Sequence, residues 1–325
     1  MRPGKHAMLY PLRLKPLLQR YLWGGRRLET LLGKSLGEGD DYAESWEAVD
    51  HQDGQSVVLN GPLAGLTLRE LMVRHGAELL GKHAPLPRFP LLFKFLDAQK
   101  TLSVQVHPND AQAAQQTPPD LGKTEAWVVL AADPGAKIYA GLAPGTTREV
   151  LAAALDAGTC EERLHVIEPQ VGDCVFIPAG TVHALGAGLV IAEIQQASNT
   201  TFRLFDFNRV DKHGKSRPLH IAESLAVTDF ARGPVSPQRP VFLSDQTERL
   251  VACDKFVLDR HKLNGTLAVP TDNRFHLLAV IAGEAKLRCG DFAEPLTLGT
   301  TVLLPASRAA TVLEGGGVVL DMYLP

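Results

Sequence analysis

Two polar side chains that can bind a metal ion interrupt a short apolar run of this sequence. In LSVQVHPND (residues 102–110), Gln105 and His107 lie two positions apart in a strand-like segment that Pro108 ends. Residues i and i+2 of a strand point to the same face, so the carboxamide and the imidazole are predicted to lie side by side. A core strand would carry Val or Ile there. We therefore expect this face to line a polar site.

Two further candidate ligands interrupt apolar runs downstream, Glu125 in GKTEAW and His183 in PAGTVHAL. Each of the four has a simpler explanation when taken alone. A single His is usually hydrogen-bonded in a core or at a surface, a carboxamide is an uncommon ligand, and Glu125 could pair with Lys123. As a set, their nitrogen and oxygen donors suit a borderline divalent ion such as zinc. The absence of thiolate ligands favours a catalytic site, completed by water or substrate, with one metal ion per chain.

Short strands must position these ligands. The 29 glycines and 22 prolines divide the chain into short runs rich in Val, Ile, Leu and Phe, a pattern typical of β structure. We predict a mainly β protein with a few short helices, in which distant strands of jelly-roll sandwiches meet around one concave face.

Helices are predicted in three segments. TLRELMVRHGAELLG opens with a Thr67–Glu70 capping box, and its apolar residues form one stripe, comprising Leu68, Leu71, Met72 and Leu79. TTREVLAAALDAG repeats this arrangement with Thr146 and Glu149 and ends at Gly158. NDAQAAQQ, after Pro108, predicts a third, short helix.

A weak internal repeat predicts two related β units. VGDCVFIPAGTVHAL (residues 171–185) aligns without a gap with LGTTVLLPASRAATVL (residues 298–313), matching Gly172 with Gly299, Val175 with Val302, Pro178 with Pro305 and Ala179 with Ala306. We place a catalytic, metal-binding unit with an N-terminal extension at 1–235 and a degenerate unit at 236–325, joined near FARGPVSPQRP. His183 aligns with Ala310, so the second unit is expected to lack metal ligands and to be structural or to wall the cleft.

Composition excludes several classes of function. The chain has 325 residues, 45% of them hydrophobic and 21% charged, and its formal net charge of -3 provides no general attraction to nucleic acid or to an anionic membrane. No apolar run approaches the roughly 20 residues that span a bilayer, and the N-terminal stretch has no apolar leader core. The four separated cysteines fit a reducing compartment. We expect a cytoplasmic protein, a monomer or weak homodimer, with a small-molecule partner.

Four segments carry a resemblance to a known family. GDCVFIPAGTVH resembles the second cupin motif, with a turn glycine, a Pro-x-Gly corner and a His at the expected spacing. More narrowly, LLFKFLDAQKTLSVQVHPND, GKTEAWVVL, IPAGTVHALGAGLVIAEIQQASNTTFRLFDF and ESWE (residues 44–47) resemble the type I phosphomannose isomerases in their short bacterial form. The similarity covers at least residues 21–209. The combination of Q-x-H-P, K-T-E and P-x-G-x-x-H is specific, whereas one cupin motif would not be.

The resemblance implies a reaction and a ligand set. The family's zinc ligands correspond to Gln105, His107, Glu125 and His183. The implied reaction interconverts mannose 6-phosphate and fructose 6-phosphate by proton transfer between C1 and C2 through a cis-enediol. Such a step needs a base, an electrophile for the developing oxyanion and an anchor for the phosphate.

Three residues are implied in catalysis by the same resemblance. Arg203 would stabilise the enediol or enediolate, and the alternative is a structural salt bridge to Asp206. Glu193 occupies the position of an active-site carboxylate, and the alternative is an ordinary strand residue that faces solvent. Lys123 is expected to face away from Glu125 on a regular strand, so that it contributes only if a bulge or turn redirects it. The identity of the base stays open.

Three further residues are candidates for binding the sugar phosphate. Lys100 and Ser103 precede the ligand strand and match the family's basic and hydroxyl positions, and both can donate to phosphate oxygens. The alternative for Lys100 is ordinary solvation. Lys94 interrupts the apolar run LLFKFLD and could line the cleft, or its ammonium group could reach solvent along its own stem.

One departure from the family pattern leaves alternatives open. Many members carry Asp after the serine at position 198, whereas this chain has Asn199, which cannot act as a base. A metal-containing cupin that binds sugars without turning them over is therefore a second hypothesis. A third is isomerisation of another aldose or aldose phosphate, because metal ligands do not determine which sugar binds.

Overall fold

The computed structural model describes residues 8–210 and 214–325; residues 1–7 and 211–213, which belong to the predicted unit 1–235, lie outside the described residues. The helices are α1 (Arg27–Thr30), α2 (Leu68–Leu80), α3 (Asp110–Ala113), α4 (Arg148–Asp156) and α5 (Ile221–Val227). Short 3-10 helices occur at Gly61–Leu63, Gly81–His83 and Cys160–Arg163. Within the described ranges, no helix is long and apolar enough to cross a membrane.

Strands make up most of the regular structure, which confirms the mainly β prediction. Those of the first two thirds of the chain are β1 (Leu12–Arg13), β2 (Leu17–Gly25), β3 (Tyr42–Ala48), β4 (Asp50–His51), β5 (Gly54–Gln55), β6 (Leu91–Ala98), β7 (Val104–Val106), β8 (Glu125–Ala132), β9 (Ile138–Leu142), β10 (Leu164–Ile167), β11 (Cys174–Ile177), β12 (His183–Leu185), β13 (Leu189–Gln196) and β14 (Phe202–Phe205). The remainder are β15 (Val241–Phe242), β16 (Thr247–Ala252), β17 (Val257–Lys262), β18 (Gly265–Val269), β19 (His276–Ala282), β20 (Ala285–Cys289), β21 (Phe292–Leu296), β22 (Thr301–Leu304), β23 (Thr311–Gly315) and β24 (Val318–Tyr323).

Two sheets of the first unit bring the candidate residues together. One has the order β11-β8-β13-β6-β3-β2 and the other β10-β9-β12-β7-β14. Apolar side chains of both sheets pack into one cluster, in which Leu96 and Trp127 from the first sheet meet Ile138 and Leu185 from the second. Burial of this cluster holds the sheets face to face, as in a β-sandwich, and the polar residues lie on the same inner side.

The second unit repeats this plan. Its sheets have the orders β1-β22-β19-β24-β17-β16-β15 and β18-β23-β20-β21, and they share an apolar cluster of their own. The repeat seen in the sequence has a physical counterpart, since β11 and β22 each follow a turn glycine with positive φ, 94° at Gly172 and 79° at Gly299. Both glycines adopt the left-handed backbone conformation, which residues with a side chain disfavour.

The two units are joined by more than a linker. Strand β1, near the N-terminus, pairs antiparallel with β22 of the C-terminal sheet. The buried ammonium group of Lys34 bridges the units, because it lies 2.6 Å from a carboxylate oxygen of Glu47 and donates to the Gly299 carbonyl at 2.6 Å. The N-terminal segment thus completes the second unit's sheet.

The helix predictions hold except at one cap. Thr67 and Glu70 form the predicted capping box, and the apolar stripe of α2 is buried. The N-cap of α4 is Thr147, so the prediction of Thr146 is wrong. The Thr146 N–H donates to the Ala143 carbonyl in the preceding turn, which leaves Thr147 to accept from the helix N-terminus.

Candidate metal centre and cleft

The candidate ligands come from three neighbouring strands. Gln105 of β7 and His183 of β12 are directly paired across the five-stranded sheet. His107 follows the end of β7, and Glu125 is the first residue of β8 in the facing sheet. Because Gln105 and His107 are two positions apart, their side chains share one face, as the sequence predicted.

The donor atoms of these residues converge in the protein interior. One ligand atom each of His107, Glu125 and His183 lies within 4.8 Å of the others. His183 Nε2 lies 3.1 Å from Glu125 Oε1, and His107 Nε2 lies 3.5 Å from Glu125 Oε2. The Gln105 carboxamide completes the group, 3.2 Å from His183 Nε2. We call these four residues the metal centre.

Backbone carbonyls fix both imidazoles in the form that binds metal. His107 Nδ1 lies 2.9 Å from the Thr200 carbonyl oxygen and His183 Nδ1 lies 2.8 Å from that of Thr181. A carbonyl can only accept, so each Nδ1 carries the proton and each Nε2 presents a lone pair. Such orientation of metal-binding histidines through the other ring nitrogen is common in metalloproteins.

The centre fits a divalent cation. The lone pair of His183 Nε2 faces Glu125 Oε1 at 3.1 Å, and this buried oxygen has no hydrogen-bond partner. A cation bound between these two atoms would satisfy both of them. The donor set of two imidazoles, a carboxylate and a carboxamide is therefore suited to a metal ion.

Charge in the centre favours the deprotonated forms. Burial, and then the Lys123 ammonium group, lower the pKa of His107 to about 3, so its ring is neutral. Burial opposes ionisation of Glu125, but Lys123 and the two histidines hold the pKa of this carboxyl well below its usual range. Neutral imidazole and carboxylate are the forms that metals bind.

The expectation that Lys123 faces away from Glu125 is wrong. Its ammonium group contacts Glu125 Oε2 and lies 3.1 Å from His107 Nε2. Residues two apart share a face, and Lys123 lies two positions before Glu125, the first residue of β8. Its backbone N–H donates to the Pro108 carbonyl at 3.0 Å, which ties the segment to the end of the ligand strand.

Charged residues of alternating sign continue from Lys123 along the six-stranded sheet. Glu193 Oε1 lies 3.4 Å from Lys123 Nζ and 3.6 Å from Lys94 Nζ, and Lys94 Nζ also lies 3.3 Å from Glu44 Oε2. Glu193 and Lys94 are only 3% and 6% exposed, so neither the solvent-facing alternative for Glu193 nor the solvent-reaching alternative for Lys94 is correct. The sequence-based predictions assign no role to Glu44. Its charged side chain within the strand YAESWEA is the feature that could have identified it as a site residue.

Burial and neighbouring charges shift both pKa values in this row. Burial is the main cause that raises the pKa of Glu193 to about 7, against the lowering effect of the two lysines. For Lys94, burial opposes the charge, but Glu193 and Glu44 raise its pKa above the ordinary value. Lys94 is therefore a stable cation whose charge is matched by two carboxylates.

A cleft of about 310 Å³ opens over the centre. Gln105, Glu125, Ser103 and Arg203 lie in its wall with the row of charged residues. The wall also includes residues to which the sequence assigned no role, among them Tyr21, Trp23, Glu44, Trp127 and Arg217. Lys100 instead lines an adjoining groove of about 630 Å³, which shares Tyr21, Trp23 and Arg217 with the cleft. All residues lining the cleft among those described come from the first unit.

Arg203 is not held by Asp206, so the structural alternative for this residue is wrong. Asp206 pairs with Arg209 and, through both carboxylate oxygens, with Arg217 at 2.6 and 2.8 Å. Arg203 donates from Nη1 to the Pro218 carbonyl at 2.9 Å, while its buried Nε has no hydrogen-bond partner. Burial, and then Arg217, lower its pKa. Its backbone is paired with Gln105, which places it beside the metal centre.

Fold and site together define a β-sandwich protein with a buried candidate metal centre that opens into a charged cleft. "Phosphomannose isomerase type I, catalytic domain" matches residues 11–134, and "Mannose-6-phosphate isomerase, cupin domain" matches residues 246–324. The chain belongs to the type I phosphomannose isomerase family, which confirms the resemblance and the prediction of an isomerase of this family.

Similar proteins match along nearly the whole chain. A mannose-6-phosphate isomerase from Bacillus subtilis is 37% identical over 94% of this chain and 96% of its own length. One from Streptococcus mutans is 36% identical over 95% and 96%. A crystal structure of the mannose 6-phosphate isomerase from Bacillus subtilis superposes with a TM-score of 0.91 at 30% identity, covering 97% of this chain and 100% of that chain.

Proposed function

We propose that this protein interconverts mannose 6-phosphate and fructose 6-phosphate, with one zinc ion bound, by proton transfer between C1 and C2 through a cis-enediol. The observation that carries this proposal is the unpaired Glu125 Oε1, which faces the lone pair of His183 Nε2 at 3.1 Å at the base of a polar cleft. Such a centre needs a cation, and the cleft beside it has room for a phosphorylated hexose.

Gln105, His107, Glu125 and His183 would hold the zinc ion. When bound there, zinc supplies Lewis-acid polarisation or a template for sugar hydroxyl and carbonyl oxygens. Gln105 would turn its carboxamide so that the oxygen faces the ion, a rotation that exchanges two groups of similar shape. The carbonyls of Thr181 and Thr200 keep both Nε2 atoms aimed at the ion.

Proton transfer is assigned to the buried pair Lys123 and Glu193. Lys123 Nζ and Glu193 Oε1 lie 3.4 Å apart, and both side chains face the cleft beside the metal ligands. A base that removes the sugar proton must be within hydrogen-bond reach of it, and these two groups are the titratable side chains nearest the centre that are not ligands. Arg203, with its free Nε, would stabilise the oxyanion that develops on the sugar.

The charges along the cleft suggest where the phosphate binds. Lys94 is matched by Glu44 and Glu193, so we assign it to holding Glu193 and no longer expect it to contact phosphate. At the opposite end, Arg203, Arg209 and Arg217 lie near one another, and among the described residues Asp206 is the carboxylate that pairs with Arg209 and Arg217. This excess of positive charge suits a phosphate dianion, which Arg217 would bind from the mouth of the cleft.

The other two phosphate candidates flank that end. Ser103 is buried and lines the cleft, so its hydroxyl could donate to a phosphate oxygen there. Lys100 is exposed in the adjoining groove, so we assign it to attraction of the anion over a longer range.

We retain the division into a catalytic unit at 1–235 and a second unit at 236–325. Because the cleft wall contains residues of the first unit alone among the described residues, the second unit is assigned a structural role. The missing ligand at Ala310 agrees with this assignment.

The test is a metal analysis of purified protein combined with a coupled isomerase assay and calorimetry. We expect one zinc per chain and turnover of mannose 6-phosphate. Binding of mannose 6-phosphate without turnover would favour the sugar-binding protein instead. Equal turnover of mannose with and without the 6-phosphate would favour an isomerase of another aldose.

A further inference from the structure

A partly buried carboxylate outside the metal centre collects an unusual number of donors. Asp120, in the loop before β8, accepts from the Ser198 hydroxyl at 2.9 Å and the Thr200 hydroxyl at 3.1 Å. The same oxygen lies 3.3 Å from His51 Nε2, while the other is 3.1 Å from an Arg88 guanidinium nitrogen and accepts from the backbone N–H of residue 121 at 2.8 Å. Both oxygens are thus fully used.

Asp120 remains ionised in this environment. Burial disfavours its charge, but His51, the backbone donor and the Ser198 hydroxyl hold its pKa well below the usual range. A neutral side chain of the same shape cannot replace it, because an amide would turn a donor toward groups that already donate.

The loop that Asp120 holds is part of the active-site framework. Residues 197–201 connect β13, which carries Glu193, with β14, which carries Arg203. Within this loop the Thr200 carbonyl accepts from His107 Nδ1 at 2.9 Å, and the Thr200 N–H donates to the Ser198 hydroxyl at 3.3 Å. The Thr200 carbonyl, whose loop Asp120 holds, therefore favours the proton on His107 Nδ1, in addition to the Lys123 ammonium group that lies 3.1 Å from Nε2.

We propose that Asp120 is a positioning residue: its carboxylate holds the 198–200 loop so that the Thr200 carbonyl keeps the His107 Nε2 lone pair facing the metal centre. The role for metal rests on the proposed function, whereas the effect on His107 does not. The competing explanation is that Asp120 only stabilises the fold.

Asp50 provides a matched control for that explanation. It is a buried carboxylate of the same protein unit, and it accepts from the Phe89 N–H at 2.9 Å, from Arg69 at 2.8 and 3.1 Å and from Gln55 at 2.7 Å. None of these contacts is to the 198–200 loop, so Asp50→Asn should destabilise the fold while the Ser198 and Thr200 contacts of Asp120 are kept.

The first measurement is the tautomer of His107, read from nitrogen-15 histidine spectra of the full chain after chelation. Wild type and Asp50→Asn should show one tautomer with the proton on Nδ1, and Asp120→Asn should show a mixture of both. Ser198→Ala, which keeps the charge but removes one donor and the Thr200 contact, should show a smaller shift in the same direction. An unchanged tautomer in both Asp120→Asn and Ser198→Ala would overturn the proposal.

The second measurement is zinc affinity by competition with a chelator. Loss of a partner that orients a ligand typically weakens metal binding by about 10- to 100-fold. We expect this loss for Asp120→Asn relative to Asp50→Asn at similar melting temperatures. Equal zinc affinity of the two variants would identify Asp120 as merely structural. If the wild type turns over no sugar phosphate, the proposed reaction is wrong, but the tautomer result still decides the role of Asp120.

Discussion

Two buried clusters of histidine and carboxylate residues in this protein are satisfied in different ways. In the metal centre, His107 and His183 use Nδ1 for backbone carbonyls and leave both Nε2 atoms facing Glu125. In the second unit, His276 lies between Asp321 at 2.9 Å and Asp272 at 3.3 Å. We call His261, His276, Asp272 and Asp321 the closed cluster.

The two clusters differ in the hydrogen-bond partners of their histidine ring nitrogens. In the closed cluster, His261 also uses both ring nitrogens, with Thr247 at 2.9 Å and Asp321 at 3.3 Å. Similar residue types thus form a closed ion-pair network in the second unit and a group with an unpartnered buried oxygen, Glu125 Oε1, in the first. Residue composition alone does not distinguish the two clusters, whereas this unpartnered oxygen does.

The largest effect is expected from removing a donor of the metal centre. His183→Ala should lose bound zinc and at least about 1000-fold in kcat/KM, since metal polarisation contributes several kcal/mol to such reactions. Metal content and a coupled assay measure both quantities. Full zinc occupancy in this variant would show that His183 is not a ligand.

The closed cluster should respond in stability instead. Asp321→Asn leaves a buried charged His276 without its nearest partner, which typically costs about 3–5 kcal/mol. Urea unfolding measures this loss, and kcat/KM and zinc content of the folded variant should match the wild type. Lost zinc in Asp321→Asn would make the two clusters functionally connected.

A pair of arginine variants separates the reacting end of the cleft from the phosphate end. Arg203→Ala should lower kcat/KM by about 100-fold or more for mannose 6-phosphate and for mannose, because it acts on the developing oxyanion. Arg217→Ala should raise KM by about 10- to 100-fold for the phosphorylated sugar alone, since a charge-assisted hydrogen bond is lost. Equal effects on both sugars in both variants would contradict this separation.

The closed cluster also predicts how stability depends on pH. Burial opposes the charge of His276, but Asp321, then Asp272, raise its pKa to about 9, against a smaller lowering effect of Arg308. A raised pKa in the folded state stabilises fully below the unfolded value of about 6.5, and this contribution disappears as pH rises through about 9. Urea midpoints should show a loss of about 3 kcal/mol across this range. In His276→Gln the loss should be absent, and an equal loss there would assign it to another group.

The smallest effect is expected at position 199. The Asn199 side chain lines the cleft but donates to Asp53 at 2.8 Å, so it orients the loop and carries no proton. Asn199→Asp places two carboxylates together near the surface, which should change kcat by less than about fivefold. A much larger gain in kcat would show that an acid at this position takes part in proton transfer.

Local patterns predicted which polar side chains converge, but not the residues that surround them. Gln105 and His107 were predictable because a strand's two-residue period is visible in the sequence, and the Thr67 cap because its partner lies three residues away. The Glu44–Lys94 contact depends on the pairing of β3 with β6, which no local pattern specifies.

Residues in loops were missed for a related reason. Arg217 and Asp120 lie in loops, and each is held by a residue that no helix or strand period connects to it, Asp206 for the first and Ser198 for the second. The prediction that Lys123 faces away from Glu125 was wrong for a different reason. Residues two apart on a strand share a face, so the separation of Lys123 from Glu125 in fact indicates the same face.

We propose above that proton transfer in this protein requires a cation bound in the metal centre. Exchange of the mannose 6-phosphate C2 proton with solvent deuterium tests this most directly, because the exchange reports the proton transfer itself and does not depend on any later conversion of the product. Chelated, verified metal-free protein should show no exchange above background, and one equivalent of zinc per chain should restore it. Full exchange by the metal-free protein would contradict the claim.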